Sequence, residues 1–374
     1  MTSPAEMTQD AAARQPPPSE ALWRAMPVSR LLDCGMEYGD VLAMEQATAA
    51  GELWDVAAER LADAHLARAE LAEREGRRVT AVENYRGAVS CFVFAQMAFN
   101  FDVGRKRALY ARHTDAASRL GRLSEPQWER LELPFDSGRL FGWLVTPAGP
   151  VMGTVIVFGG QSGWSTAYLR HADALNVRSI AVLLAEGPGQ GETRMDGGLL
   201  LNVDVRAAYS RFVDHLAARP HLGRGIGLWG NSLGGLYAGT TAASDARVDG
   251  VCINGAPAHP RLLAFRTFAE QAAAMLGTNT PDAIQRNFDR LALRPQDRLA
   301  CPLLVLHGGA DPIVSLEEQQ PFLDAASHDD VMLRVWDDGE HTIYNHAEER
   351  TAFVADWFAD RFAALGPDTN KERQ

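Results

Sequence analysis

A mainly parallel sheet of eight strands, with helices on both faces and a separate all-α domain ahead of it, is the α/β fold class this sequence predicts. Three observations predict it. The 374 residues suffice for two domains of ordinary size. From about residue 19 to 121 the apolar residues recur at helical spacing. Beyond Glu125-Pro126 short runs of Val, Ile and Leu alternate with helical patterns, as in a parallel sheet covered on both faces.

Composition narrows the class. Hydrophobic residues at 46% and charged residues at 22% describe a globular chain, not a disordered or fibrous one. Lys and Arg number 36 against 48 Asp and Glu, a net charge of −12, so neither nucleic acid nor an anionic membrane is an expected partner. No run approaches the roughly 18 to 20 apolar residues of a membrane span, and the start lacks a charged segment followed by an apolar one. A cytoplasmic location is therefore expected. Cys34, Cys91, Cys252 and Cys301 form no pair of zinc spacing, which predicts free thiols and no metal.

The elements follow in order. Residues 1–18 are polar and end in Pro16-Pro17-Pro18, which predicts a disordered arm. Residues 19–124 are expected to form a helical cap domain: Leu53, Val56, Ala57, Leu61 and Ala64 give one helical pattern and Ala81, Tyr85, Ala88, Val89 and Phe92 another, separated at Gly51 and at Glu75-Gly76. Residues 125–365 are expected to form the catalytic domain. It opens with a hairpin, 128–135 and 140–145, around Asp136-Ser137-Gly138. Further strands are expected at 154–158, 179–184, 225–229, 250–253, 303–306 and 331–336, and helices at 203–218, 233–243, 316–325 and 346–364. Residues 260–298 read as a helical lid insertion and 366–374 as a flexible tail.

The chemistry starts at the strand that ends in Gly230-Asn231-Ser232-Leu233-Gly234 and runs into a helix. This is G-x-S-x-G in the strand–turn–helix setting it requires. The turn projects the serine hydroxyl while the outer glycines let strand and helix approach. A serine hydroxyl is a weak nucleophile, so a histidine must take its proton and an acid must orient that histidine. Asp311, after the strand in PLLVLHGGADPIV, and His341, in WDDGEHTIYNH, supply both in the order Ser, Asp, His. Asp337, Asp338 and Glu340 follow a different strand, His346 opens the last helix, and His307 is expected to be packed structurally. The developing oxyanion needs two backbone NH groups, assigned to Leu233 and to Gln161 in Gly159-Gly160-Gln161-Ser162-Gly163, with Gly160 as the close rival. Glu186, opening EGPGQGE, is expected to tie loops together. That run lacks the lysine of a phosphate-binding loop, and no cofactor is expected.

At Gly159–Gly163, Glu186–Glu192, Gly230–Gly234, Asp311 and His341 the sequence resembles an α/β-hydrolase. With the N-terminal helices and Tyr85, Ala88 and Phe92, it is similar to the group containing 2,6-dihydropseudooxynicotine hydrolase, the fungal polyketide-shortening hydrolases and an esterase-like fermentation/respiration switch protein. The resemblance implies an active site roofed by the cap, a homodimer, and cleavage of a carbon–carbon bond next to a ketone in an apolar or aromatic carbonyl substrate. Ester, thioester or lactone hydrolysis, acyl transfer or cyclisation, and a regulatory binding protein are the alternatives. Where carbon–carbon hydrolases of this type can carry an acid after the Gly-Gly of the oxyanion loop, this chain has Ser162. Ser162 and Gly160 are therefore expected to face the substrate. Of the aromatic-rich helix residues, Phe94 and Met97 fall off the main packing face and are the expected substrate contacts of the cap.

Overall fold

The computed structural model describes residues 16–161 and 163–365. Most of the expected disordered arm, the expected tail over 366–374, and Ser162 lie outside the described residues. The chain divides into two compact units, one of residues up to Gln127 with Ala264–Ala274, the other of Trp128–Leu263 with the residues from Met275 on.

The first unit is helical: α1 (Ser19–Ala25), α2 (Val28–Asp33), α3 (Tyr38–Ala49), α4 (Trp54–Arg74), α5 (Arg78–Met97) and α6 (Gly104–Leu123). Gly51 and Gly76 stand at the turns with φ of 94° and 72°, a region that costs an L side chain energy. Small residues bring α4 and α5 together. Ala57, Ala58, Ala62, Ala69, Ala81 and Ala88 are fully buried, and a Cβ added to Gly87 would lie 2.6 Å from the His65 ring. One expectation needs correcting: Leu53 and Val56 are 58% and 40% exposed and Ala64 faces solvent, whereas Trp54, Ala58, Ala62 and His65 are buried. Alanine on both sides of α4 makes its apolar stripe ambiguous in sequence, and packing settles the phase. Outside that packing, Arg105 reaches Asp55 and Glu59, Arg112 reaches Glu59 and Asp63, and Arg122 reaches Glu73. At the end of α5 the buried Lys106 ammonium donates to the Gln96 side chain and to the Phe99 carbonyl, both at 2.7 Å, so the last turn finds a cation.

The second unit is built on β1 (Glu129–Phe135), β2 (Gly138–Val145), β3 (Gly153–Phe158), β4 (Ile180–Glu186), β5 (Gly225–Asn231), β6 (Gly250–Asn254), β7 (Leu303–Gly308) and β8 (Val331–Trp336). They form one eight-stranded sheet in the order β1-β2-β4-β3-β5-β6-β7-β8. The β1–β2 and β2–β4 pairs are antiparallel and the rest parallel. Every residue of β3 to β7 is buried, which is why those strands read as unbroken apolar runs. At the edge, β8 leaves Val331, Met332, Leu333 and Val335 about two-fifths exposed.

The helices of this unit are α7 (Leu169–Asn176), α8 (Gly191–Met195), α9 (Val205–Ala217), α10 (Leu233–Ala242), α12 (Pro281–Leu291), α13 (Leu316–Asp324) and α14 (Ala347–Ala364). The excursion over 260–298 holds α12 and, before it, α11 (Arg266–Leu276), most of which belongs to the first unit. The sequence did not predict α7 and α8. Eight and five residues are too few for a 3.6-residue period to stand out. The described residues contain no helix long and apolar enough to cross a membrane.

Candidate active site

Strand β5 delivers Ser232 to the start of α10, a helix with every residue buried. The turn is tight because two backbones nearly touch: a Cβ on Gly230 would lie 2.1 Å from the Gly234 carbonyl, and one on Gly234 would lie 2.5 Å from the Gly159 carbonyl. Ser232 itself takes φ 55° and ψ −132°, a strained conformation that costs about 1–3 kcal/mol and persists only where the surroundings enforce it. Its NH donates to the Asn254 carbonyl at 2.8 Å and its carbonyl accepts from the Gly235 NH at 2.7 Å. Those bonds hold the hydroxyl in place.

The Ser232 hydroxyl lies 2.9 Å from His341 Nε2, and His341 Nδ1 lies 2.8 Å from Asp311 Oδ2. The Asp311 side chain is fully buried, with Oδ1 accepting from the backbone NH groups of Ile313 and Val314 at 2.8 and 3.1 Å. A carboxyl acceptor on Nδ1 assigns the ring proton to that nitrogen and leaves the Nε2 lone pair toward the serine. The three residues sit at the C-terminal ends of β5 and β7 and after β8, so the structure brings together the three side chains assigned from the sequence order. The rivals lie elsewhere: His346 pairs with Asp338 at 2.8 Å, and the buried His307 Nδ1 is bonded to the Gln319 amide at 2.9 Å. Burial pushes the His307 pKa down, as expected for a packed histidine.

The loop after β3 lies directly over Ser232. A Cβ on Gly160 would be 2.9 Å from Ser232 Cβ and 3.4 Å from its hydroxyl, so glycine is required by close approach. Gln161 is buried beside it. Leu233 is the first residue of α10, where a helix leaves its NH groups without intrahelical acceptors. Of the residues expected to contact substrate, Gly160 is thus against Ser232, Phe94 and Met97 are buried on α5, and Ser162 is outside the described residues. The Phe94 carbonyl accepts from the Trp54 indole at 2.9 Å.

Behind these loops stand residues that the sequence did not single out. Asn254, fully buried at the end of β6, donates to the Asn231 side chain at 2.8 Å and to the Thr342 carbonyl at 3.0 Å, linking the residues next to Ser232 and His341. Thr342 and Ile343 have φ of 54° and 61°, and the Thr342 carbonyl also accepts from the buried Arg350 at 2.9 Å. Glu186 does tie loops: its carboxyl accepts from the Ser165 NH at 2.9 Å, the Ser165 hydroxyl at 2.8 Å and the Glu192 NH at 2.5 Å. Burial, helped by the Glu192 carboxylate, pushes its pKa up to about 7.

None of the four cysteines is in a disulfide, and burial raises the thiol pKa of Cys91, Cys252 and Cys301. In the first unit Asp40, His65 and Cys91 lie within 4.8 Å of one another through ligand-type atoms. The His65 ring is already committed there. Arg68 donates to Nδ1 at 2.8 Å, so Nε2 carries the proton that goes to Asp40 at 2.6 Å, and neither nitrogen offers a lone pair to a metal.

The sequence pattern of the prolyl oligopeptidase family matches residues 206–364, a span that includes Ser232, Asp311 and His341. The 2,6-dihydropseudooxynicotine hydrolase of Paenarthrobacter nicotinovorans is 28% identical over 301 residues, covering 77% of this chain and 79% of that protein. The crystal structure of 2,6-dihydroxy-pseudo-oxynicotine hydrolase superposes with a TM-score of 0.80 at 24% identity, over 90% of this chain and 96% of the other. AbyA5 superposes with a TM-score of 0.64 at 21% identity, over 82% and 90%. With its eight-stranded sheet, its serine at the strand–helix turn and these likenesses, the chain has the α/β-hydrolase fold and is similar to 2,6-dihydropseudooxynicotine hydrolase.

Proposed function

We propose that the chain is a serine hydrolase that cleaves a carbon–carbon bond next to a ketone in an aromatic or polyketide-like substrate. The observation that carries the serine mechanism is the continuous chain Ser232–His341–Asp311, with contacts of 2.9 and 2.8 Å. His341 takes the Ser232 proton as the oxygen attacks the ketone carbon, and the resulting oxyanion is met by the NH groups of Gln161 and Leu233. Collapse of that intermediate breaks the carbon–carbon bond. The electron pair leaves on the expelled fragment as an enolate, which a second carbonyl stabilises and His341 protonates. Water, deprotonated by His341, then releases the acyl group as a carboxylic acid. What supports the carbon–carbon reading is the likeness to 2,6-dihydropseudooxynicotine hydrolase. Hydrolysis of an ester, thioester or lactone needs the same residues and less stabilisation of the leaving group.

The experiment has two stages. Intact mass after exposure to a fluorophosphonate should show one adduct on the native protein and none on Ser232→Ala, whose turnover should fall by about 10⁴-fold or more. An unmodified native protein would overturn the serine mechanism. Aryl 1,3-diketones are then compared with matched aryl esters, and a kcat/KM higher for the esters would replace carbon–carbon cleavage by ester hydrolysis.

A further inference from the structure

The mechanism above leaves the run from Glu186 to Glu192 without a part in the chemistry. Gln190, 2% exposed, is the residue of that run whose side chain reaches the oxyanion loop. Its Nε2 donates to the carbonyls of Gly159 at 2.7 Å and Gly160 at 2.8 Å. Its Oε1 accepts from the Gly187 NH at 2.9 Å and from the Tyr209 hydroxyl at 3.1 Å. The amide orientation is therefore determined, because exchanging its ends would set an oxygen against two carbonyls. The fit is close on the loop side as well: a Cβ on Gly163 would lie 3.0 Å from Gln190 Nε2. The Gly160 carbonyl accepts a second bond from the Gly163 NH at 2.9 Å.

A trans peptide points its C=O and its N–H in opposite directions. Pinning the Gly160 carbonyl to Gln190 therefore turns the NH of Gln161, in the same peptide plane, away from Gln190. We propose that Gln190 is the positioning residue of the oxyanion hole: its amide clamps the Gly159 and Gly160 carbonyls and so fixes the direction in which Gln161 donates before negative charge develops. A donor already aimed needs no reorganisation at the moment of reaction, which is where such groups gain their effect. This rests on the roles given above to Ser232 and Gln161, and Gln190 itself touches no reacting atom.

The test uses p-nitrophenyl acetate as substrate and phenylboronic acid as a probe that forms a tetrahedral, anionic adduct with an activated serine. Gln190→Met keeps the length of the side chain and removes both donors. Its kcat should fall by about 10²-fold and its boronate inhibition constant rise by a similar factor, while KM stays within about threefold. Tyr209→Phe leaves the amide donors but frees one side of Oε1, and should move the same two quantities in the same direction by about three- to tenfold. A boronate constant unchanged in Gln190→Met, with activity lost only in proportion to a lowered melting temperature, would show a purely structural residue and sink the proposal. If Gln190→Met does not fold, Tyr209→Phe decides, and an unchanged boronate constant there overturns it. Failure of the native protein to bind boronate or react with fluorophosphonate would instead bring down the serine mechanism, and this proposal with it.

Discussion

The two units differ in where they hold an unfavourable backbone. Among the described residues of the first unit, positive φ is confined to glycines: Gly35, Gly51 and Gly76, at helix ends and turns. The second unit puts side chains into that region at Asp136, Ser179, Ser232, Thr342 and Ile343. Two of these mark ordinary turns, at the hairpin and ahead of β4. The other three are Ser232 and the two residues after His341. A scaffold of helices resolves its turns with glycine at little cost, whereas loops that must present a hydroxyl and an imidazole keep their side chains and hold the strain through neighbours such as Asn254. Strain in this molecule is concentrated at the candidate site.

The comparison can be broken most severely at the strand ends. Asp311→Asn places an amide opposite His341 Nδ1, favours the wrong tautomer, and should lower kcat by about 10⁴-fold with a near-native melting temperature. A loss below tenfold would mean that Asp311 does not orient the base. The buried carboxyl of Glu186 sharpens the contrast through pH. Its pKa is raised from 4.5 to about 7, so the folded state binds its proton more tightly than the unfolded chain does. The stability it contributes is full below about pH 4.5 and is lost as pH rises through about 7, by about 1 to 3 kcal/mol. Glu186→Gln should flatten that slope in a melting curve measured from pH 4.5 to 8, and an unchanged slope would assign it to another group.

Exchanging glycine and side chain between the units gives a smaller effect on stability, of opposite signs. Gly51→Ala adds a Cβ into open space at φ 94°, so its expected cost of about 1 to 2 kcal/mol is purely conformational and kcat should not change. Ser232→Gly should abolish turnover and raise the melting temperature. If both substitutions destabilise alike, the strain at Ser232 is not what distinguishes the site. The smallest effect is expected at the helix surface. Arg112 pairs with Glu59 and Asp63 and lies 4.8 Å over the Phe92 ring, yet it is about a third exposed, so Arg112→Ala should cost under about 1 kcal/mol and less still in high salt.

Much of this protein was legible in its sequence. Buried parallel strands had to be unbroken runs of Val, Ile and Leu, a nucleophile turn had to carry glycines on both flanks, and a hydrolase of this order had to place an acid and a histidine after later strands. These are requirements on residue type at fixed spacing, and a sequence states them directly. The phase of α4 was not legible, because alanine fits either face and only contact with α5 chooses between Leu53 and Trp54. Nor were the parts of Gln190 and Asn254, whose amides bond across 30 and 88 residues of chain to groups that any residue type would supply, the backbone carbonyls of Gly160 and Thr342. The sequence by itself determined which side chains are the candidates for the chemistry. The tertiary structure decided what aims them, since a bond to a carbonyl leaves no mark on the residue that owns it.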